Sequence, residues 1–381
     1  MIKLLRKYGF FPRVAVWELT LRCNLNCRHC GSRAGMARDD ELGLHEALKL
    51  ANELADLKCK FLTLSGGEPL LRKDWPLIAE TLVDRGVIVG MVTNGLLWND
   101  EVVQTAKTVG LESVAFSIDG LEENDDHLRR HPGHFRKALD AAIACGRHGL
   151  KASVVTTVTQ RNLPELEKMR EVLAEHGVLR WQLQLGTPTG NMAEHPELVI
   201  RPEDMLHIVP LIAAMCRDDK KPKVYPGHDI GYFGDTEEAL RAQSDPIPYW
   251  LGCSAGCSVI GIESNGNIKG CLSLPSSKEK VDDFVEANRS ADLAKFAVDV
   301  DDVFPGAFEV RRAVLVEKEI LVFGEVGDVG ILLHRLDVFE LHAIAFSHMG
   351  KGASLGRLVL QHGHAFADAR HPVGDPAGRA V

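Results

Sequence analysis

From residue 14 to about residue 218, short runs rich in β-branched and apolar residues alternate with longer stretches whose apolar positions recur three and four apart. The short runs read as buried strands, the longer stretches as amphipathic helices, and their regular succession as repeated βα units. Six units can be counted, with strands starting at Val14 (VAVWEL), Phe61 (FLTLS), Val87 (VIVGMVT), Ser113 (SVAFSI), Ala152 (ASVVTTV) and Trp181 (WQLQL). Helices are predicted over Leu44–Leu57, Trp75–Arg85, Phe135–His148 and Leu163–His176, the last with a capped start at Asn162, Pro164 and Glu165. Gly86, Gly110, Gly149 and Gly177 stand where helix-closing glycines belong. Parallel strands joined by helices make either a doubly wound sheet or a barrel, and periodicity does not choose between them.

The pattern breaks after residue 221. Pro222, Pro226, Gly227, Gly231, Gly234, Pro246 and Pro248 interrupt any long helix, so 222–251 reads as a connecting segment between a core at 1–221 and a small Cys/Gly-rich domain at 252–287. Within that domain Ser264-Asn265-Gly266-Asn267 predicts a hairpin turn. Residues 288–381 form a tail without a recognisable pattern. Its histidines (His334, His342, His348, His362, His364 and His371) have no metal-ligand spacing, and Gly350, Gly352 and Gly356 follow no strand-to-helix phosphate turn.

Charge and composition narrow the class. With 381 residues, 45% apolar and 25% charged, the chain has enough material for one large domain and a smaller one. A formal charge of −9 offers no basic field for a phosphate backbone, so the reading is against a nucleic-acid partner. The opening MIKLLRKYGFFP resembles no export signal, and no segment reaches the ~20 apolar residues that span a bilayer. The expectation is a cytoplasmic protein with no membrane partner. Nine cysteines in a reducing compartment point to metal or cluster ligation rather than disulfides. Cys59, Cys145 and Cys216 stand alone in apolar or helical surroundings and read as inert.

After the first strand, ELTLRCNLNCRHC places Cys23, Cys27 and Cys30 in a CxxxCxxC loop. Thiolates are the usual ligands of iron–sulfur clusters, and three of them on a 4Fe-4S cube leave one iron open to a further ligand. The competing reading is zinc held by the three cysteines and His29, although this spacing is unlike the common paired zinc knuckles.

The CxxxCxxC loop resembles that of the radical S-adenosylmethionine (SAM) superfamily, whose fourth iron is chelated by SAM. Gly66-Gly67-Glu68-Pro69, after the second strand, resembles the family's GGEP segment, which binds the methionyl amino group of SAM. Thr93-Asn94-Gly95 and Ser117-Ile118-Asp119-Gly120 end the next two strands, similar to the peptide-modifying branch, and the resemblance implies that Thr93, Asn94, Ser117 and Asp119 contact SAM. HLRRHPGHF resembles a segment usually reading LRG and places Arg129 at the SAM carboxylate, with Arg130 replacing the customary glycine. Four motifs at successive strand ends favour a partial (β/α)6 barrel, whose sites assemble on that face. Residues 252–274 resemble the first half of the cysteine-rich extension called SPASM, or its shorter twitch form. This implies Cys253 and Cys271, with Cys257 as a further candidate, as ligands of an auxiliary 4Fe-4S cluster; the alternative there is zinc or no metal at all. The resemblance stops at about residue 288, and the tail is read as aberrant, as from a shifted frame.

The resemblance as a whole implies an enzyme that reductively cleaves SAM to a 5′-deoxyadenosyl radical and takes hydrogen from a substrate. A reductant such as flavodoxin or ferredoxin would feed it. The SPASM-like unit points to a maturase acting on a peptide or protein side chain; the alternatives are haem or quinone cofactor biosynthesis on a small molecule, or a non-catalytic iron–sulfur carrier or sensor.

Overall fold

The structure, a computed structural model, describes residues 12–227, 230–231, 234–242, 253, 255–256 and 258–273, together with six strands between residues 309 and 367. The predicted Cys257 ligand and the start of the tail at residue 288 lie outside the described residues.

The six predicted strands are present as β1 (Val14–Glu18), β2 (Phe61–Ser65), β3 (Ile88–Thr93), β4 (Ser113–Ser117), β5 (Lys151–Val158) and β6 (Arg180–Leu185). Each pairs in parallel with the next, from Val14 beside Phe61 to Val154 beside Trp181. The crossovers are α1 (Leu44–Asp56), α2 (Trp75–Asp84), α3 (Asp100–Thr108), then the pair α4 (Glu122–Arg129) and α5 (His134–Arg147), and α6 (Leu166–Glu175). Their apolar faces bury Leu50, Leu54, Ile78, Leu82, Leu139 and Leu173 against the strands, where Trp17, Phe116 and Trp181 are fully buried. Gly86, Gly110, Gly149 and Gly177 follow helices at φ +83°, +79°, +73° and +77°, as the sequence predicted.

Three features depart from the sequence reading. Residues Lys223–Pro226, placed in the connecting segment, form a seventh parallel strand, β7, beside β6, after the helix α7 (Met205–Arg217). The short helix α8 (Glu237–Arg241) follows. Asn162 does not cap α6: its amide is buried, accepting from Thr159 N at 2.7 Å and donating to the carbonyls of Asp119 and Thr157 at 2.6 and 2.8 Å. The predicted hairpin does form, from β8 (Val259–Ile262) and β9 (Ile268–Lys269), but β8 also runs parallel to β1, Val14 beside Val259. The sheet order is therefore β7-β6-β5-β4-β3-β2-β1-β8-β9. The sheet is open, and the architecture is an α/β partial barrel with a small hairpin continuing its first edge.

Arg38, just beyond the cysteine loop, ties this hairpin down. It donates to Glu18 at 2.8 Å, to Glu263 at 3.2 Å and to the Ser264 hydroxyl at 3.1 Å. Glu18 and Glu263 are buried, so the guanidinium offsets two charges that would otherwise be costly inside the fold.

Residues 298–381 are a separate compact unit. Among its described residues it is an antiparallel meander, β10 (Glu309–Val316), β11 (Glu319–Val326), β12 (Val329–Arg335) and β13 (Leu341–Ser347), with a hairpin of β14 (Leu358–Gln361) and β15 (His364–Ala367).

Candidate functional site

The C-terminal ends of β1 to β4 meet around one cleft. It is an open cleft of about 600 Å³, solvent at its mouth included, lined by Cys23, Cys27 and Cys30 together with Gly66, Gly67, Thr93, Asn94, Ser117 and Arg129. Nine residues singled out from the sequence are thus brought together. Glu68, Pro69 and Asp119 lie behind the lining, and Cys253 and Cys271 are not part of it.

The cysteine loop leaves β1 at Glu18 and closes on itself, Cys23 N donating to Gly35 O at 3.0 Å and Gly35 N to Leu21 O at 3.1 Å. It is also held from outside. Arg28 N donates to Leu128 O of α4 at 2.8 Å, and Asn191 supplies its backbone N–H to Cys30 O at 2.8 Å and its amide to Cys27 O at 2.9 Å. Gly190 lets that segment in: a Cβ there would sit 2.2 Å from Cys30 O. The sequence reading missed Asn191, although Thr-Pro-Thr-Gly-Asn after the β6 strand is a fifth motif-like strand end. Backbone N–H groups of Leu25 and Ala34 point to the sulfurs of Cys23 and Cys30, each at 3.4 Å. Burial pushes the Cys23 thiol up and that of Cys27 up to about 12, Arg129 acting against burial in both.

The GGEP turn packs on this loop. Gly67 N donates to Thr20 O at 2.7 Å and Glu68 N to Arg22 O at 2.9 Å. The approach is so close that a Cβ on Gly67 would lie 2.3 Å from Arg22 O. Glu68 turns into the protein, fully buried, where it accepts from the Thr93 hydroxyl at 2.7 Å and from Asn94 N at 2.8 Å. It braces the end of β3 against the end of β2. Burial raises the Glu68 carboxyl above its ordinary range, with the Asn94 and Thr93 hydrogen bonds opposing.

Asp119 plays the same part behind β4. Its Oδ1 accepts from Thr157 N at 2.7 Å; its Oδ2 takes His29 Nε2 at 2.9 Å and also the Arg129 guanidinium. Burial raises this carboxyl, but Arg129 and His29 outweigh it and hold the group well below the usual carboxylate range. The shared carboxylate leaves two buried nitrogens without a hydrogen-bond partner, Nδ1 of His29 and Nε of Arg129. Both residues line the cleft. Arg130 follows at φ +55°, the left-handed region in which the glycine of related segments is at ease.

This donor set fits a cluster better than a lone ion. Among the described residues no three His, Cys, Asp or Glu side chains converge on a single ion position, so the tetrahedral zinc reading with His29 has no such site. His29 is engaged by Asp119 instead. Three thiols around an open cleft suit a larger inorganic body, with the polar side chains of His29 and Arg129 in its lining. No helix among the described residues is long and apolar enough to cross a membrane.

Comparison with known proteins agrees with this geometry. The AdoMet-dependent heme synthase of Methanosarcina barkeri is 35% identical over 211 residues, 55% of this chain and 60% of that protein. The Fe-coproporphyrin III synthase of the same organism is 34% identical over 168 residues, 44% of this chain and 42% of that one. The mycofactocin maturase MftC of Mycobacterium tuberculosis is 30% identical over 169 residues, 44% and 43% of the two chains. The chain thus spans about half the length of the curated relatives it matches. Streptococcus suis SuiB bound to its precursor peptide SuiA superposes with a TM-score of 0.59 at 14% identity, covering 75% of this chain and 66% of that one, a likeness of fold. Residues 17–175 match the family described as the radical SAM superfamily, which uses a 4Fe-4S cluster and S-adenosylmethionine, and over that segment the chain is similar to its members.

Proposed function

We propose that the chain is a radical SAM enzyme acting on a haem-type tetrapyrrole precursor, with Cys23, Cys27 and Cys30 holding the cluster. The observation that carries the reading is the convergence of those three thiols with Gly66, Gly67, Thr93, Asn94, Ser117 and Arg129, from four successive strand ends, on one cleft. Held by Cys23, Cys27 and Cys30, the cluster would supply one-electron reductive cleavage of SAM and, through it, radical abstraction of hydrogen from the substrate. The chain's own residues bind and orient. Arg129, kept charged by Asp119, would pair with the carboxylate of SAM; backbone carbonyls of Gly66 and Gly67 would receive the amino group; Asn94 and Ser117 would offer amide and hydroxyl contacts to the rest, beside Thr93, whose hydroxyl donates to Glu68. Glu68 and Asp119 hold these groups in place from behind, so that little reorganisation is needed on binding.

The substrate class rests on the relatives at 34 and 35% identity, named as a coproporphyrin and a haem synthase. A peptide or protein side chain is the second reading. It is favoured by the likeness to MftC and by the hairpin that carries Cys271, which fits the SPASM-like expectation of an auxiliary cluster with Cys253 and Cys271 among its ligands. The test is anaerobic reconstitution with iron and sulfide, then SAM and reductant, with 5′-deoxyadenosine measured alone, with an iron-porphyrin carboxylate and with candidate precursor peptides. Stimulation by the porphyrin supports the first reading and stimulation by a peptide the second. A cluster spectrum unchanged by SAM supports a carrier or sensor instead.

A further inference from the structure

Helix α4 carries, besides Arg129, a carboxylate that does not line the cleft. Asp125 is fully buried, and so is His134 at the start of α5. Asp125 Oδ1 accepts the backbone N–H of Asp119 at 2.7 Å, and its Oδ2 lies 2.5 Å from His134 Nδ1. On its other side, His134 Nε2 lies 2.9 Å from the backbone carbonyl oxygen of Asn94. A carbonyl oxygen can only accept, so Nε2 is the donor. The pair therefore spans from the end of β3 to the end of β4: it holds backbone atoms of Asn94, which lines the cleft, and of Asp119, which holds Arg129, and Asp125 Oδ1 also lies 3.9 Å from Arg129 Nε.

A pair of apolar side chains would fill the same space without direction. A buried carboxylate and imidazole are costly unless each polar atom is satisfied, and here both oxygens and both nitrogens are engaged. What the pair adds is a fixed separation between Asn94, which lines the cleft, and Asp119, which holds Arg129 from behind it.

We propose that Asp125 and His134 are positioning residues for ligand binding in the cleft, fixing Asn94 against Asp119 and Arg129. The proposal rests on the reading of the cleft as the SAM site. The two links of His134 can be separated, because a glutamine amide nitrogen falls near the imidazole Nε2 position and an asparagine amide nitrogen near Nδ1. His134→Gln keeps the donor to Asn94 O; His134→Asn keeps only the contact to Asp125. The readout is the affinity of cluster-reconstituted protein for S-adenosylhomocysteine by calorimetry, which requires no turnover, with iron content and melting temperature recorded beside it.

His134→Asn is expected to weaken binding roughly tenfold, the size of one well-aligned hydrogen bond, at unchanged iron content. His134→Gln is expected to stay within about twofold of the unaltered protein. Equal weakening in both variants, tracking the melting temperature, would reduce the pair to a packing role and overturn the proposal; so would unchanged affinity in both. Should His134→Asn fail to fold, His134→Leu replaces it, which fills the space with no donor to Asn94 O. The same weakening supports the proposal, and unchanged affinity overturns it. If the unaltered protein does not bind the nucleoside at all, the reading of the cleft itself fails and takes this proposal with it.

Discussion

Cys27 is poorly able to ionise unaided, because burial pushes it up to about 12 even with Arg129 nearby. A cationic iron beside it would supply the missing charge, as metals do for coordinating thiols. Cys27→Ala is accordingly expected to abolish SAM cleavage, read as 5′-deoxyadenosine formed under strict anaerobiosis; full retention would remove Cys27 from the cluster. Asp119 gives a prediction in pH. Its folded-state value is depressed below the ordinary 3.8, so the stability it contributes is complete above that pH and is lost as pH falls beneath it. Asp119→Asn, which leaves Arg129 and His29 without their shared carboxylate, is expected to cost about 3 kcal/mol or more at pH 7 in urea denaturation, and less as the pH drops under 3.8. Arg130 bears strain at φ +55°. Arg130→Gly relieves it, with part of the gain offset by the greater freedom of glycine in the unfolded chain, and should raise stability by about 0.5–1 kcal/mol, read as a higher melting temperature. At this scale the cysteines and the polar strand ends were legible, because ligand chemistry demands particular residue types. Asp125 and His134 were not, because EENDDHLRRHPGH looks like a solvated charge run. Helical phase was the available signal: Asp125, Leu128 and Arg129 are three and four apart and share one face, and all three are buried.

Among the elements, the turn at Gly66-Gly67 explains why the first and second strand ends act as one piece. Two backbones touch there with no side chain between them, so the turn's glycines serve packing as well as lining the cleft. Gly67→Ala would force its methyl group against Arg22 O and Leu21 O, at 2.3 and 2.6 Å, and backbone atoms cannot step aside as a flexible side chain would. Expected consequences are a loss of about 1–3 kcal/mol in thermal or urea unfolding and a weaker hold on the cluster, seen as lower iron content after reconstitution. The six strands were readable because each is buried and the intervening helices carry a clean apolar face. β7 was not: four residues ending in Pro226 have no pattern of their own, and their strand geometry comes from the register with β6. Nor does any local signal announce that β8 will lie beside β1, since the partners come from opposite ends of the described core.

For the molecule as a whole, the hairpin carrying Cys271 is welded to the barrel through β1 and Arg38, yet its cysteine stays out of the cleft. A second cluster at Cys253 and Cys271 would therefore be separable from the first. Replacing both with serine is expected to lower the iron bound per chain while leaving the spectral response to SAM; loss of that response would mean the two positions are one site. The placement of β1 also bears on how the chain is made. Val14 has Phe61 on one side and Val259 on the other, so one rim of the strand leaves the ribosome early and waits, its hydrogen-bonding groups unmet, until the segment around residue 259 has been synthesised. An open strand rim is a template for wrong pairing between nascent chains. The loop proposed to receive iron hangs from that same strand. Iron and sulfide delivered to it before residue 259 is made would therefore meet a strand whose outer rim is still unpaired.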